Sequence, residues 1–469
     1  MNSEIVKQFV KYSIILLSFI TALYLLLCVD EEGFEYIYLL PLTFCVCYLF
    51  LHKAVEKIKL ILFFPCFAGV AFLRYVAGPF LLCYSNDYYG KIMYAHPSIF
   101  GLHSATFLMI YELIVCTFLI YFFSKKNDGY TDNSSHLILP QSYFVYIVFI
   151  FIAAAFVFLN PSVIFFFSFG VWGMKDVELS QLSPIAQTAI MLAICAKFVL
   201  FWVLLSIIKH KHDVSTIPFV WKSCGVVITL IFGFIYYGGN RAQFLFSLIT
   251  SFYLFILFFP SLKKVVVPLL LIFGTIVFTF ITDQRNYFDY YSYEKGTKNK
   301  VLNTSQTITA YFGGLTNVAI GVDMATKFAD KNKGAQLFKD VFLPIVGLNK
   351  IIPFEDRVTT NALYNYVFFN SNKNVSQILP SIAHGYFYGG FVFCILFDVI
   401  QLFFVFLLAS LLKKTCRMEL VFVFNIILLR FSILLGQNIT QQINGIAMQL
   451  MLPICVFWLN NRLTFTRKV

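Results

Sequence analysis

The sequence predicts an all-α membrane protein with many spans, and its composition, its hydropathy and the length of its apolar runs each support this. Of the 469 residues, 59% are hydrophobic and only 12% are charged, whereas an ordinary soluble domain carries roughly 25% charged residues. The mean hydropathy is +0.80 and 19% of the residues are aromatic, which excludes a disordered chain. A span takes about 20 residues, so the chain has room for about a dozen.

Twelve apolar runs are separated by polar loops. They are long and rich in Phe, Leu and Ile, and they lack the alternating segments of about ten residues that mark a transmembrane barrel, so helices are predicted throughout. The second run is short, and only 238–240 separates the seventh run from the eighth. The predicted spans are 9–29, 34–51, 60–83, 102–123, 143–169, 184–208, 223–239, 241–260, 265–283, 382–412, 419–436 and 443–460.

The Lys and Arg residues of the short loops predict that both termini are cytoplasmic. Eighteen of them lie in the termini and in alternate loops, whereas the short loops on the other side hold only Lys91, Lys175 and Arg241. Positive residues remain on the cytoplasmic side of a membrane. The formal net charge of +12 is therefore interpreted as a consequence of orientation, and nucleic acid is not predicted as a partner.

The connection 283–380 between the ninth and tenth spans is the largest loop and faces outward by the same parity. Its length, without an obvious signature of disorder, predicts a folded and functional segment. Thr304–Ala329 permits a helix, and Leu337–Ile352, which Pro344 interrupts, has the pattern of a segment lying along the membrane surface. Because no linker separates a soluble domain, residues 1–469 are predicted to form one membrane domain that carries this loop.

The first candidate binding residue is Arg241, in the hairpin YYGGNRAQF at the outer ends of the seventh and eighth spans. An Arg beside Gly238 and Gly239 suits bidentate binding of a lipid-borne phosphate, since the glycines permit close approach of the backbone. The alternative interpretation is an Arg side chain that reaches the headgroups.

Two further Arg residues lie in the outer loop. Arg285 follows Asp283 in TDQRNYFDYY, just beyond the ninth span, and Arg357 lies in FEDRVTTN. The Tyr and Phe residues around Arg285 suit stacking on sugar rings, although a belt of interfacial aromatic residues explains them equally simply.

His384 is a candidate base, hydrogen-bond donor or cation at the entrance to the tenth span. It lies in LPSIAHGYFYGGFVF, where Gly385, Gly389 and Gly390 permit a break or close helix packing. A structural His at a helix entrance is the alternative.

Five charged residues fall inside the predicted spans and away from their ends. Each costs about 2.5–3.5 kcal/mol at the centre of a span, so they are expected to pair or to line a cavity. Arg74 and Arg430, both toward the outer half of the membrane, are the predicted candidates to face a diphosphate. The five are Arg74, Glu112, Lys197, Asp398 and Arg430.

No cofactor or metal site is predicted. The sequence has no phosphate-binding Gly-rich loop with Lys, no HExxH and no GxSxG, and its eleven Cys residues show no disulfide framework or metal-binding spacing. The acidic first outer loop is interpreted as solvated, with a divalent-metal site as the alternative. Its acidic residues are Asp30, Glu31, Glu32 and Glu35.

The hairpin Gly239-Asn240-Arg241, the loop stretch TAYFGGLTNVAIGVD (Thr309–Asp323) and the segment Leu379–Gly390 occur in this architecture together. The pattern resembles the Wzy-type O-antigen polymerases. The resemblance implies a metal-independent, multi-spanning glycosyltransferase of the GT-C-like type in the bacterial inner membrane. It also implies undecaprenyl-diphosphate-linked oligosaccharides as substrates, with membrane lipids and a chain-length regulator protein as partners.

The resemblance further implies a role for each candidate residue. Cations are needed where the bond between sugar and phosphate breaks, because negative charge builds on the diphosphate. These cations would be Arg241, Arg285 and Arg357. A base would accept the proton of the acceptor hydroxyl. The candidate bases are His384, Asp283, Glu355 and Asp356.

Three other functions remain open for the sequence. A flippase or exporter of lipid-linked oligosaccharides would share the many spans, but it usually has short loops and internal two-fold similarity. An O-antigen ligase would use a related outer loop, although its glycines follow the functional His at a different spacing. A membrane O-acyltransferase would use His384 as its base, but nothing in the sequence marks a site for an acyl donor.

Overall fold

A computed structural model of the chain is helical almost throughout its described part, which contains no β-strand. This confirms the prediction of an all-α membrane protein. The described residues are 3–57, 62–89, 96–126, 140, 142–167, 183–235, 241–276, 300–345, 348–354, 356–370, 377–415 and 417–463. The helices are α1 (Ser3–Cys28), α2 (Leu39–Lys57), α3 (Phe63–Phe72), α4 (Gly78–Ser85), α5 (Ile99–Lys126), α6 (Phe144–Leu159), α7 (Pro184–Val214), α8 (Pro218–Phe234), α9 (Arg241–Phe258), α10 (263–276), α11 (Lys300–Phe312), α12 (Leu315–Lys327), α13 (Lys333–Phe342), α14 (Leu348–Ile351), α15 (Thr360–Phe369), α16 (Ser381–Phe393), α17 (Leu396–Lys414), α18 (Met418–Phe431) and α19 (Ile439–Arg462).

Seven helical segments of the described chain are long and apolar enough to cross a membrane, and each overlaps a predicted span. An eighth candidate is a pair of helical segments, Phe244–Phe258 and Pro260–Ile276, bent by 120°. Helices α6 and α8 are apolar but shorter. The total of twelve spans therefore stays a prediction. The seven segments are Lys7–Cys28, Leu39–Glu56, Phe63–Ser85, Ile99–Lys126, Pro184–Val214, Leu396–Lys414 and Ile439–Arg462.

Helices α1 and α6 expose large apolar side chains over much of their length. Phe9 and Leu27 are 71% and 78% exposed, and Phe151 and Phe158 are 71% and 84% exposed. Such faces are unfavourable in water but suit contact with lipid, because each helix satisfies its own backbone hydrogen bonds.

The chain forms two compact units, and each takes part of α18 and of α19. The first unit comprises Met1–Asp132, Thr297–Lys413 and Leu428–Gly445, and the second comprises Asn133–Gly296, Lys414–Ile427 and Ile446–Val469.

Helix α12, from the predicted outer loop, lies in the core of the first unit. Nine of its thirteen residues are buried, and it packs against α5, α15 and α16. The contact with α16 is close, because a Cβ atom on Gly321 would lie 2.5 Å from Cβ of Ala383. Gly313, with φ of 63°, separates α11 from α12, so the helix permitted over Thr304–Ala329 forms as two helices. Much of the outer loop is thus part of the core of this unit.

The predicted tenth span, 382–412, is also two helices. Helix α16 is kinked at Gly390, whose φ of 61° is left-handed, and α17 begins at Leu396. Cys394 then lies so close to Gly385 that a Cβ atom at position 385 would overlap the carbonyl oxygen of Cys394. Only glycine leaves room for this return of the chain, because the contact is with backbone atoms.

In the second unit, α6 packs on α7, α7 on α8, and α8 on α9. Two polar contacts tie α6 to the C-terminal part of the chain: the Tyr146 hydroxyl donates to Glu419 Oε1 at 3.0 Å, and Asn460 Nδ2 donates to the Ser142 carbonyl at 2.9 Å. Lys197 of α7 is held by the Ile235 carbonyl and the Ser247 hydroxyl.

Candidate functional site

The strongest candidate site is a buried polar cluster around His384 in the first unit. Its centre is Asp340 of α13, whose carboxylate accepts three hydrogen bonds. His384 Nε2 lies 2.7 Å and the Tyr388 hydroxyl 2.8 Å from Asp340 Oδ2, and the backbone N–H of Thr360 donates to Oδ1 at 2.8 Å. The Thr360 hydroxyl lies 2.8 Å from that of Tyr388. Asp340, His384 and Thr360 are each 0% exposed.

The helical periodicity of α13 places its polar side chains where the cluster needs them. Gln336 and Asp340 are four residues apart and share one face, which is buried. Gln336 Nε2 donates to the Val358 carbonyl at 2.8 Å, and Lys339 Nζ lies 2.5 Å from Asp356 Oδ1. These two contacts hold the segment 356–360 against α13. The backbone N–H of Thr360 is thereby placed to donate to Asp340.

The cluster favours an ionised Asp340. Burial raises the pKa of this carboxyl, but the hydrogen bond and charge of His384 and the N–H of Thr360 outweigh it, so the pKa lies below its ordinary value. An ionised Asp340 accepts a hydrogen bond from the N–H at His384 Nε2, so Nδ1 carries the lone pair in the neutral imidazole.

His384 Nδ1 is buried and has no hydrogen-bond partner within the described part of the chain. The imidazole ring stacks on Phe397 of α17, with 4.9 Å between ring centroids and an interplanar angle of 20°. An imidazole held in one tautomer and one orientation by a carboxylate is the arrangement of a general base.

A second buried cluster surrounds Arg74, in a π-helical turn (Leu73–Ala77) of the kind that often marks functional sites. Arg74 Nη1 lies 2.7 Å from Glu112 Oε2 and 2.5 Å from the Leu435 carbonyl, and Nε donates to the Gly313 carbonyl at 2.9 Å. The Tyr75 hydroxyl lies 2.8 Å from the same Glu112 oxygen. Arg74 therefore forms an ion pair with Glu112 and holds the segments around Gly313 and Leu435 together. These contacts account for the buried guanidinium without a ligand. The contact of Arg74 with a diphosphate stays a prediction.

The other predicted residues of the first unit lie in different environments. Arg357 is exposed on the 356–360 segment. Asp356 is also exposed, and the hydrogen bond from Lys339 lowers its pKa. Arg430 is buried, with its guanidinium directly against Gly445, where a Cβ atom would overlap it. Among Arg74, Arg357 and Arg430, only Arg357 is exposed at the surface of the first unit.

Several predicted site residues lie outside the described part of the chain. They are Asp283, Arg285, Glu355 and the side chain of Arg241.

Sequence reasoning missed Asp340, Thr360 and Tyr388 as partners of His384. Asp340 falls within Leu337–Ile352, which the sequence predicted only to lie along the membrane surface. The signal that was available is the spacing of Gln336 and Asp340, because two polar residues four apart lie on one face of a helix. That spacing cannot reveal that the polar face is the buried one.

A hydrogen bond between Glu35 and His103 ties the first outer loop to α5. Glu35 Oε2 lies 2.8 Å from His103 Nε2, and the Gly33 N–H donates to Glu35 Oε1 at 3.0 Å. The Gly33 N–H, followed by His103, lowers the pKa of Glu35 to about 2. No group of three or more His, Cys, Asp or Glu side chains is arranged to hold a metal ion among the described residues.

Comparison of the chain with protein-family models, curated proteins and solved structures found no match. The resemblance to O-antigen polymerases therefore rests on sequence motifs, and the function has to be argued from the geometry of the site.

Proposed function

We propose that the protein is a membrane glycosyltransferase that joins undecaprenyl-diphosphate-linked oligosaccharide repeat units into a surface polysaccharide. The observation that carries this proposal is the His384–Asp340 pair, which combines a residue at the entrance to the predicted tenth span with one from the large outer loop. With twelve spans and cytoplasmic termini, this pair would lie at the periplasmic side of the bacterial inner membrane. Lipid-linked donors and acceptors meet at that side.

In the proposed reaction a hydroxyl of the acceptor oligosaccharide attacks the first sugar carbon of the donor. A bond forms between the acceptor oxygen and that carbon, and the bond from the carbon to the diphosphate oxygen breaks. The hydroxyl proton passes to His384 Nδ1, and the bonding electrons leave with the diphosphate. Because Nδ1 is buried, this step requires the cluster to open toward the acceptor. Asp340 stabilises the imidazolium that results.

The leaving diphosphate needs positive charge, since negative charge develops on it in the transition state. Arg357 suits this role because it is exposed on the segment that donates the Thr360 N–H to Asp340. Arg241 and Arg285 are proposed as further diphosphate ligands on the basis of the sequence. A chain-length regulator would be a protein partner of this reaction.

The test is complementation of a strain that lacks the gene, read by electrophoresis of surface glycans. His384→Gln and Asp340→Asn are expected to reduce the ladder of polymerised glycan at least 100-fold, while single repeat units remain on the cell surface. General bases contribute about 10²–10⁴-fold. The control is Asp330→Asn, an exposed carboxyl of the same loop, which should give a full ladder.

The cluster also joins α13 and α15 to α16, so folding has to be separated from chemistry. Each variant is compared at equal membrane protein level and at a temperature well below its own thermal unfolding midpoint, so that a loss of the ladder reports chemistry and not unfolding. A full ladder from His384→Gln would remove His384 from the reaction. Repeat units trapped on the inner leaflet in the deletion strain would indicate a flippase.

A further inference from the structure

Helix α13 of the outer loop buries polar side chains and exposes an aromatic one. Gln336 and Asp340 are 4% and 0% exposed, whereas Phe338 is 45% exposed. Successive residues of an α-helix are about 100° apart, so position 338 lies opposite the face that positions 336 and 340 share. A surface helix of a soluble domain has the reverse arrangement, with its apolar side chains toward the core.

Phe338 belongs to a larger apolar surface. Its ring contacts the rings of Phe342 and Phe354, with 4.5 Å and 5.9 Å between centroids. Ile351 and Val358, which lie on either side of Phe354 along the chain, are 76% and 41% exposed. These five residues are called the outward surface.

The hydrogen bonds of α13 to α16 indicate its depth relative to the membrane. Asp340 is bonded to His384, and the ring of His384 stacks on Phe397. Phe397 is the second residue of α17, whose 19 residues measure about 28 Å, close to the thickness of the hydrocarbon core. Because α17 is one of the seven segments able to span, Phe397 lies at a boundary of the membrane, at the end of α17 opposite Lys413 and Lys414. The hydrogen bond from His384 to Asp340 holds α13 near that boundary.

We propose that the outward surface inserts into the outer leaflet of the bilayer, with its side chains among the acyl chains just below the headgroups. Amphipathic surfaces of this kind bind in the plane of the membrane interface, and contiguous exposed apolar patches are rare on surfaces that face water. Arg357 is exposed and precedes Val358, so the same insertion brings a guanidinium to the lipid phosphates. This contact does not rest on the proposed reaction. It would hold the His384–Asp340 pair at the depth of the phosphates of a membrane lipid.

Site-specific photocrosslinking in living cells tests this contact. The full-length protein is made with p-benzoylphenylalanine in place of Phe338, irradiated and purified. Intact mass spectrometry then detects adducts of phospholipid mass, and gel electrophoresis detects adducts with another protein. Position 338 should give a lipid adduct in a yield comparable to that at Phe403, which is 62% exposed near the middle of α17. Asp330, exposed on the same loop, is the matched control and should give several-fold less.

Two outcomes would overturn the proposal. One is a lipid yield at Phe338 no higher than at Asp330 while Phe403 reacts, and the other is a protein adduct at Phe338 in place of the lipid adduct. If the benzophenone variant does not accumulate, Phe338→Trp in proteoliposomes answers the same question. Its emission above that of the four native Trp residues should be quenched by brominated acyl chains and not by iodide in the buffer. Quenching by iodide alone would contradict insertion. Neither measurement uses the glycan ladder, so this contact and the proposed polymerase are tested independently.

Discussion

Asp340 shows how hydrogen bonds stabilise an ionised side chain that is buried in this protein. Its two oxygens accept bonds from an imidazole, a phenol and a backbone N–H, so the cost of burial is offset by donors that favour the ionised form. Glu112 uses another route, a direct pair with a guanidinium.

Replacing Asp340 should lower the free energy of unfolding and should change how that free energy depends on pH. Asp340→Asn leaves His384 and Tyr388 without their charged acceptor, and a hydrogen bond to a charged group contributes about 1.5–3 kcal/mol. The folded-state pKa of Asp340 lies below the unfolded value of about 3.9, so its contribution is fully present above that pH and is lost as pH falls through the folded pKa. Unfolding midpoints from pH 7 to pH 3 should therefore show a gap between wild type and variant that narrows below about pH 4.

The matched control for this prediction is Asp330→Asn, because Asp330 is exposed on the same loop. Its midpoint should follow the wild type at every pH. A gap for Asp340→Asn that stays constant down to pH 3 would show that the carboxyl is not held ionised by its neighbours.

At the scale of elements, glycine contacts decide how the helices of the first unit approach one another. Gly321 lets α12 reach α16, and Gly385 lets the start of α17 return to α16. This return places Phe397 beneath the ring of His384, so the position of the candidate base depends on the break at Gly390.

Gly385→Ala should therefore be strongly destabilising. The added Cβ atom would overlap a backbone carbonyl, which cannot move as a side chain can, so the loss should reach the upper end of the roughly 1–3 kcal/mol typical of overpacking. Gly69→Ala is the control, since nothing lies within 4 Å of a Cβ atom there and alanine is the better helix former. Thermal unfolding in detergent should give a lower midpoint for the first variant and an unchanged or higher one for the second. Equal midpoints would mean that α16 and α17 do not approach as closely as described.

At the scale of the whole molecule, the number of spans decides which side of the membrane each terminus occupies. Seven helical segments satisfy length and composition, with an eighth candidate in the bent pair. An even total is required if both termini are cytoplasmic. The Lys and Arg distribution predicts twelve, which would include the short helices α6, α8 and α18 and both members of the bent pair.

Reporter fusions test this topology. Green fluorescent protein at the C-terminus should fluoresce, because it folds in the cytoplasm. Alkaline phosphatase fused after Asp330 should be active, since it needs the oxidising periplasm, whereas the same fusion after Lys126 should be inactive. An active phosphatase fused at the C-terminus would mean an odd number of spans and would place the outer loop in doubt.

The sequence by itself determined the membrane class, the positions of seven helical segments that are long and apolar enough to span, and the selection of His384. These follow from hydropathy and residue type, which are local properties of the chain. The tertiary structure decided that Asp340 pairs with His384 across 44 residues, that Arg74 pairs with Glu112, and that the tenth apolar run breaks into two helices. These features depend on contacts between segments that are far apart in the sequence. The order of residue types along the chain does not specify which of those segments come into contact.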